Sequence, residues 1–133
     1  MVVGQAGAVV LKRMRRRYTA DLYAETVEMI RQRIPEVSIT ADVIVGFPGE
    51  TDEEFQQTYA LCDEVGFAAM HVFPYSVRPG TGAAHYPDRV DPAIKSARMR
   101  ELLSLSQRSS IAFIGRWLGA TRSVLWEAPK DKA

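Results

Sequence analysis

The sequence predicts a parallel α/β fold with the element order α-β-α-β-α-β. Two apolar, β-prone runs carry this prediction: one ends at Gly46, the other ends at Pro74, and a helical pattern lies between them. A strand, a helix and a second strand form a βαβ unit, whose two strands are parallel. Ligands of such folds bind at the loops that follow the carboxyl ends of the strands. Function is therefore expected at these two loops.

Capping signals and apolar periodicity place the individual elements. Thr19 is a suitable N-cap for a helix, and Thr51 with Glu54 forms a capping box at the start of the next. Gly66 suits the end of that helix, and Pro92 suits the first position of a long one. The continuous apolar end of the first strand predicts burial on both faces. In chain order, the predicted elements are a short helix over 11–17, a helix over 19–34, a strand over 37–45, a helix over 51–65, a strand over 67–73, a helix over 91–118 and a strand over 121–127.

Composition places the chain among single-domain globular proteins. It has 133 residues, a net charge of +1, 47% hydrophobic and 25% charged residues. No apolar run approaches the roughly 18–20 residues of a membrane span, and no signal peptide is recognisable, so a cytoplasmic location without a membrane partner is expected. Cys62 is the single cysteine, and His71 and His85 are the only histidines. These counts exclude an intrachain disulfide and argue against a structural zinc site.

A basic run near the start of the chain has two interpretations. Five cations occupy six positions from Lys12 to Arg17. Such a cluster is typical of contact with nucleic acid or another polyanion. It is also typical of a solvated helix face or a terminal basic arm, and the run by itself leaves both interpretations open.

The two loops differ in what they offer a ligand. Gly46 and Gly49 permit close backbone approach before a helix N-terminus that favours anions, although the same chemistry serves a purely architectural turn. Neither a Walker loop nor a dinucleotide fingerprint is present. In the second loop, residues 73–76 offer aromatic rings and a hydroxyl to a planar ligand such as adenine, or they pack into the core. Arg78 and Thr81 either contact phosphate or lie in a solvated loop.

Three further side chains fall within the predicted elements. Asp42 interrupts an apolar strand, where a carboxylate needs a hydrogen-bonding or charged partner. His71 is expected to be a satisfied core histidine, and Cys62 a buried small hydrophobe. The sequence shows no Ser-His-Asp set, carboxylate pair or metal cluster, so we assign no catalytic residue and no metal ligand.

Three stretches of the chain resemble the radical S-adenosylmethionine methylthiotransferases. They are Leu11–Thr19, Asp42–Thr51 and His71–Thr81. Their arginine triplet and His-Val-Phe-Pro-Tyr-Ser run are most similar to the branch that acts on N6-threonylcarbamoyladenosine in tRNA. The resemblance extends from about Gln5 to Glu127. It implies an enzyme that attaches a methylthio group to C2 of an N6-modified adenosine next to the tRNA anticodon.

The resemblance also implies a fold and a domain organisation. Residues 1–119 would form the C-terminal portion of a partial TIM-type (β/α) barrel, and residues 120–133 the start of a tRNA-binding β-domain. Complete family members use S-adenosylmethionine and 4Fe-4S clusters. This chain lacks the Cys-x-x-x-Cys-x-x-Cys motif that holds one cluster, and it has Gly82 where the family usually has proline. We therefore expect no cofactor bound to this chain alone and no catalytic activity in isolation.

Motif position within the family assigns two sets of residues. The S-adenosylmethionine set comprises Ile44, Gly46, Phe47, Pro48, Phe73, Pro74, Tyr75 and Ser76. The substrate or tRNA set comprises Arg15, Arg16, Arg17, Arg78 and Thr81. The alternative function is a non-catalytic RNA-binding or interaction module, which the basic run supports. Exposed sheet edges would allow the chain to form a homo-oligomer.

Overall fold

Helices and short strands alternate along most of the chain. The structure, a computed structural model, describes residues 2–3, 8–123 and 125. None of the described helices is long and apolar enough to span a membrane. In chain order, the elements are β1 (Val2–Val3), α1 (Ala8–Arg13), α2 (Ala20–Arg33), β2 (Thr40–Val45), α3 (Asp52–Val65), β3 (Ala69–Pro74), a 3-10 helix (Gly82–His85) and α4 (Pro92–Gly115).

The three described strands form one parallel sheet in the order β1-β2-β3. Strands β2 and β3 pair over their whole length, from Thr40 opposite Ala69 to Val45 opposite Pro74. Both strands therefore end at the same edge of the sheet, as the βαβ pattern predicts. Strand β1 was not predicted, because it contains only two residues and has no alternating pattern.

The predicted helix caps are confirmed. The Thr19 hydroxyl accepts a hydrogen bond from the Leu22 N–H at 3.2 Å. At the start of α3, the Thr51 hydroxyl accepts from the Glu54 N–H at 3.2 Å, and the Glu54 carboxylate accepts from the Thr51 N–H at 3.0 Å. Gly66 ends α3 in the left-handed region, with a φ of 59°. Local sequence chemistry therefore fixes both ends of this helix.

Several boundaries differ from the prediction. Strands β2 and β3 begin at residues 40 and 69 instead of 37 and 67. Before β2, the Val37 N–H donates to the Ile34 carbonyl at 3.0 Å, so this segment forms a turn and cannot pair as a strand. Helix α4 ends at Gly115, and turns continue the chain to Gly119, whose φ is 79°.

The hydrophobic core lies on one face of the sheet. Val43 and Val45 of β2 are fully buried, whereas Ile44 between them is only half-buried, and its neighbour Phe73 is 50% exposed. The prediction that the end of β2 is buried on both faces is therefore wrong, because alternate side chains of a strand point to opposite faces. Strands β2 and β3, helices α2, α3 and α4, and Phe67 between α3 and β3 supply the core: Tyr23, Val27, Ala41, Val43, Val45, Phe55, Leu61, Cys62, Val65, Phe67, Met70, Val72, Leu102 and Leu105.

The predictions that Cys62 and His71 are buried have opposite outcomes. Cys62 is buried in α3, as predicted, and burial raises the pKa of its thiol to about 12. A thiol with this pKa is a poor nucleophile at neutral pH. His71 is exposed, and its ring stacks on Phe73 at a centroid distance of 6.5 Å. The prediction of a core histidine is wrong because His71 shares the open face of the sheet with Phe73.

Serine side chains of α4 satisfy backbone groups of β3 and of the residue just before it. The Ser106 hydroxyl lies 3.2 Å from both the N–H and the carbonyl oxygen of Met70. The Ser110 hydroxyl donates to the Ala68 carbonyl at 2.8 Å. These bonds leave fewer free backbone groups for another strand to pair with. A homo-oligomer through sheet edges remains a prediction.

The second domain predicted at the end of the chain is not tested by the structure. Residues 121–123 and 125 are not in a strand, and the other positions of the predicted strand over 121–127 lie outside the described residues. Arg122 lies over the Trp117 ring, with 3.9 Å between the guanidinium carbon and the ring centroid. The domain boundary after residue 119 remains a prediction.

Candidate functional site

The loop after β2 depends on two glycines in the left-handed region. Gly46 has a φ of 73° and Gly49 a φ of 79°. A Cβ on Gly46 would lie 2.1 Å from Cγ of Lys95, and one on Gly49 would lie 1.8 Å from a guanidinium nitrogen of Arg13. Both positions therefore require glycine for the backbone conformation, and at Gly46 an added Cβ would also displace the stem of Lys95.

A buried ion pair holds this loop against α4. The Glu50 side chain is fully buried, and its two carboxylate oxygens accept from the Gly46 N–H at 3.1 and 3.2 Å. Arg98 of α4 forms ion pairs with Glu50 and with Asp52. Its guanidinium also lies over the Phe55 ring, 5.3 Å from the centroid. A charged contact thus connects the loop to a helix more than forty residues away in sequence.

The protonation of the Glu50 carboxyl depends on its partners. Burial raises the pKa of the Glu50 carboxyl, whereas the charge of Arg98 and the hydrogen bond from Gly46 oppose that rise. Desolvation favours the neutral acid, and a paired cation favours the ionised form. Loss of Arg98 would therefore leave a buried carboxylate without its counter-ion.

The loop after β3 places Tyr75 against the first loop. The Tyr75 N–H donates to the Val45 carbonyl at 2.7 Å, which extends the β2–β3 pairing by one bond. The rings of Phe47 and Tyr75 meet edge to face, with centroids 5.2 Å apart and an interplanar angle of 69°. The Tyr75 hydroxyl is buried and has no hydrogen-bond partner within the described structure. A buried orphan hydroxyl is unusual, and it is available to a ligand.

Two clefts adjoin at this edge of the sheet and share Tyr75 and Ser76. The first has a volume of about 510 Å³ and extends from the open face of the sheet over the second loop. Its lining residues are Asp42, Ile44, Phe47, Phe73, Pro74, Tyr75, Ser76, Arg78, Thr81 and Ala83. The second has a volume of about 550 Å³ and lies beyond the first loop. Its lining residues are Gly46, Pro48, Tyr75, Ser76, Val77, Arg89, Val90, Asp91, Pro92 and Lys95.

The structure brings most of the predicted site residues together. All the residues of the S-adenosylmethionine set line one or both clefts, with Gly46 and Pro48 on the second cleft only. Arg78 and Thr81 of the tRNA set line the first cleft. The Thr81 hydroxyl donates to the Arg78 carbonyl at 2.8 Å, which fixes this part of the loop.

The arginine triplet follows α1 and lines neither cleft. Its three side chains are exposed, and Arg15 has a φ of 55°. The run is nevertheless anchored near the clefts, because Arg13 donates to the Pro48 carbonyl at 3.3 Å and accepts at its own carbonyl from the Tyr86 hydroxyl at 3.3 Å. The basic segment therefore begins at the edge of the sheet where the strands end.

Sequence reasoning missed two cations of α4. Arg98 and Lys95 both approach the first loop, one through Glu50 and the other over Gly46. The available signal for Arg98 was a charged residue within the apolar pattern that continues to Leu102 and Leu105 of the core. Lys95 gave no comparable signal, since a lysine on a helix is typical of a face exposed to solvent.

The chain matches proteins of one superfamily. Residues 5–62 match the family model of the Radical SAM superfamily. The TIM-barrel-like fold of that superfamily agrees with the parallel sheet and the helices packed on one of its faces, so the predicted α/β fold class is confirmed.

The relatives are tRNA-modifying enzymes by name. The threonylcarbamoyladenosine tRNA methylthiotransferase MtaB of Bacillus subtilis is 48% identical over 105 residues, which are 78% of this chain and 23% of that protein. The tRNA-2-methylthio-N(6)-dimethylallyladenosine synthases of Ehrlichia chaffeensis and Chloroflexus aurantiacus are 41% and 44% identical over 92% of this chain and 28% of each relative. The chain thus spans about a quarter of the length of the curated relatives that it matches. Over residues 5–62 the chain matches the radical SAM superfamily, and over most of its length it is similar to the tRNA methylthiotransferases.

Proposed function

We propose that this chain supplies part of the S-adenosylmethionine site and part of the tRNA-binding face of a tRNA methylthiotransferase. Such an enzyme adds a methylthio group to C2 of an N6-modified adenosine next to the anticodon. One observation carries the proposal: the residues that the family motifs assign to the cofactor converge on two adjoining clefts where β2 and β3 end.

The first cleft suits the adenosine portion of S-adenosylmethionine. Ile44 and Phe73 offer apolar surface on the open face of the sheet, and Tyr75 adds a ring at the end of β3. Apolar and aromatic walls with few polar groups are typical of small-molecule sites. The unpartnered Tyr75 hydroxyl can provide a directional hydrogen bond. These residues therefore fit a planar base with a polar edge.

The same residues do not fit an iron–sulfur cluster. The sequence has one cysteine, Cys62, which is buried in α3, and the described residues contain no group of three His, Cys, Asp or Glu that could hold a metal ion. We derive no step through a cluster. We propose that the chain alone assembles no cluster and has no catalytic activity, and iron and sulfide analysis after anaerobic reconstitution tests this.

In the complete enzyme, the role of these residues is to bind and orient. S-adenosylmethionine supplies the radical chemistry of the superfamily when it is bound. Ile44 and Phe73 would exclude water from one side of the base, and Tyr75 would fix its orientation through the ring and the hydroxyl. The Glu50–Arg98 pair acts indirectly, because it positions the loop that carries Gly46 and Pro48.

Substitution of Tyr75 tests the cofactor assignment. We expect no cofactor to remain bound through purification, but weak binding to be measurable when S-adenosylmethionine is titrated into the chain and followed by ligand-observed NMR. Tyr75→Phe, which removes only the hydroxyl, should weaken binding about threefold to tenfold. Tyr75→Ala should weaken it by about tenfold or more, because the stacking surface is also lost.

Phe113→Ala provides the control, because Phe113 lies towards the opposite end of α4 and lines neither cleft. Equal affinity of the wild-type and Tyr75→Ala chains would contradict the assignment. The alternative, a non-catalytic RNA-binding module, is favoured by the exposed basic run. It would be supported if the chain bound an anticodon stem-loop RNA with strong salt dependence but no S-adenosylmethionine at any concentration.

A further inference from the structure

The second cleft, which Gly46 and Pro48 of the S-adenosylmethionine set also line, contains two cations that the cofactor assignment does not use. Lys95 and Arg89 contribute two cations to its lining. Within the part of the chain that the structure describes, neither Lys95 nor Arg89 forms an ion pair. A cleft lined by two cations without ion-pair partners suits an anionic ligand.

Lys95 is held in the cleft by its packing on the loop. Its Cγ and Cδ atoms occupy the space that a Cβ of Gly46 would need, at 2.1 and 2.3 Å from that position. The side chain is half-buried, unlike a freely solvated lysine. The contact with glycine restricts the aliphatic stem, so less conformational entropy is lost when the ammonium group binds an anion.

The carboxylate of Asp91 does not neutralise both cations of the second cleft. Asp91 lines the same cleft, but its carboxylate accepts from the Ala93 N–H at 2.7 Å and caps α4. The two cations and this one carboxylate leave the lining with one positive charge in excess. Arg89 and Arg13 also line the next depression, but the carboxylates of Glu50, Asp52, Asp88 and Asp91 lie there too, so the excess of positive charge belongs to the second cleft.

We propose that the second cleft binds a backbone phosphate of the RNA substrate, with Lys95 as the principal contact and Arg89 as a secondary one. This inference rests on the proposed function, because it takes the first cleft as the nucleoside site. Tyr75 and Ser76 line both clefts, so an RNA phosphate in the second cleft would lie close to the adenosine of S-adenosylmethionine in the first. Lys95 would then position the RNA without reading its sequence.

Neutralisation of Lys95 tests the phosphate site. Lys95→Met keeps the aliphatic stem over Gly46 and removes the charge. We expect this variant to bind a fluorescein-labelled anticodon stem-loop RNA about fivefold to tenfold more weakly, as measured by fluorescence anisotropy on the full chain. The slope of log affinity against log salt should decrease by about 0.7 to 0.9, the value for one lost phosphate contact.

Arg100→Met is the matched control, because Arg100 is an exposed cation of the same helix that lines neither cleft. It should change RNA affinity by less than about twofold. Arg89→Met, at an exposed position outside any helix, gives a second variant with little influence on folding, and it should weaken binding in the same direction as Lys95→Met.

The outcomes separate this inference from the proposed function. If the wild-type chain binds the RNA and Lys95→Met binds it equally well with the same salt slope, the phosphate site is wrong and the proposed function stands. If the wild-type chain binds no RNA at all, the tRNA-binding role itself is overturned. If Arg100→Met weakens binding as much as Lys95→Met, the effect is one of net charge, and the assignment to this cleft is overturned.

Discussion

Arg98→Met is expected to destabilise the chain by about 3 to 5 kcal/mol, because it leaves the buried Glu50 carboxylate without its counter-ion. The variant also loses the contact of the guanidinium with the Phe55 ring, worth about 0.5 to 2 kcal/mol, so the larger part of the loss reports on the ion pair. Urea denaturation followed by circular dichroism measures the change in the free energy of unfolding.

The pH dependence of the stability lost in Arg98→Met provides an internal check. Burial raises the pKa of Glu50, and the loss of Arg98 removes a charge that opposes this rise. A raised pKa means that the folded variant binds a proton more readily than the unfolded chain, so its stability increases as the pH falls. The deficit should therefore be smaller at about pH 5 than at neutral pH. Arg100→Met should change stability by less than about 0.5 kcal/mol, and an equally small effect of Arg98→Met would contradict the buried ion pair.

Gly46→Val is expected to displace the first loop and to abolish measurable binding of S-adenosylmethionine. The φ of 73° is strongly disfavoured for a β-branched residue, and the added Cβ would overlap the stem of Lys95. Movement of Lys95 can relieve the overlap but not the backbone strain. The free energy of unfolding should decrease by about 2 to 4 kcal/mol, and titration of the same variant measures the loss of affinity.

Gly115→Ala serves as the comparison for this variant. Gly115 is the last residue of α4, its φ lies outside the left-handed region, and a Cβ added there would meet no neighbouring atom within 4 Å. We expect unchanged affinity and unchanged or slightly higher stability, because alanine restricts the unfolded chain more than glycine does. If Gly46→Val bound S-adenosylmethionine as tightly as Gly115→Ala, the loop would have no part in the cofactor site.

Most of the fold could be predicted from the sequence because its signals are local. The capping box of Thr51 and Glu54 and the left-handed Gly66 each depend on a few neighbouring residues, and they fixed α3 at both ends. The parallel pairing of β2 and β3 followed from the helix between them. The strand starts were less accurate, because Val37 turns back towards Ile34 despite its β propensity.

The candidate site could be predicted only in part, because the contacts that support it join residues that are distant in sequence. The two loops were found from glycine, proline and aromatic residues near strand ends. The pairing of Glu50 with Arg98 joins positions that no short-range pattern connects. The contact of Lys95 with Gly46 is equally distant. His71 was misplaced because a strand pattern does not specify which face meets the helices.

Two-dimensional NMR spectra of the isotope-labelled chain, titrated with S-adenosylmethionine, test the central claim most directly. The claim is that the ends of β2 and β3 form one nucleoside site. We expect the largest chemical-shift changes at Ile44, Phe73 and Tyr75. Smaller changes are expected at Gly46, which lines the second cleft together with Tyr75. Changes confined to the helices on the opposite face of the sheet would contradict the account, as would spectra that do not change at saturating ligand.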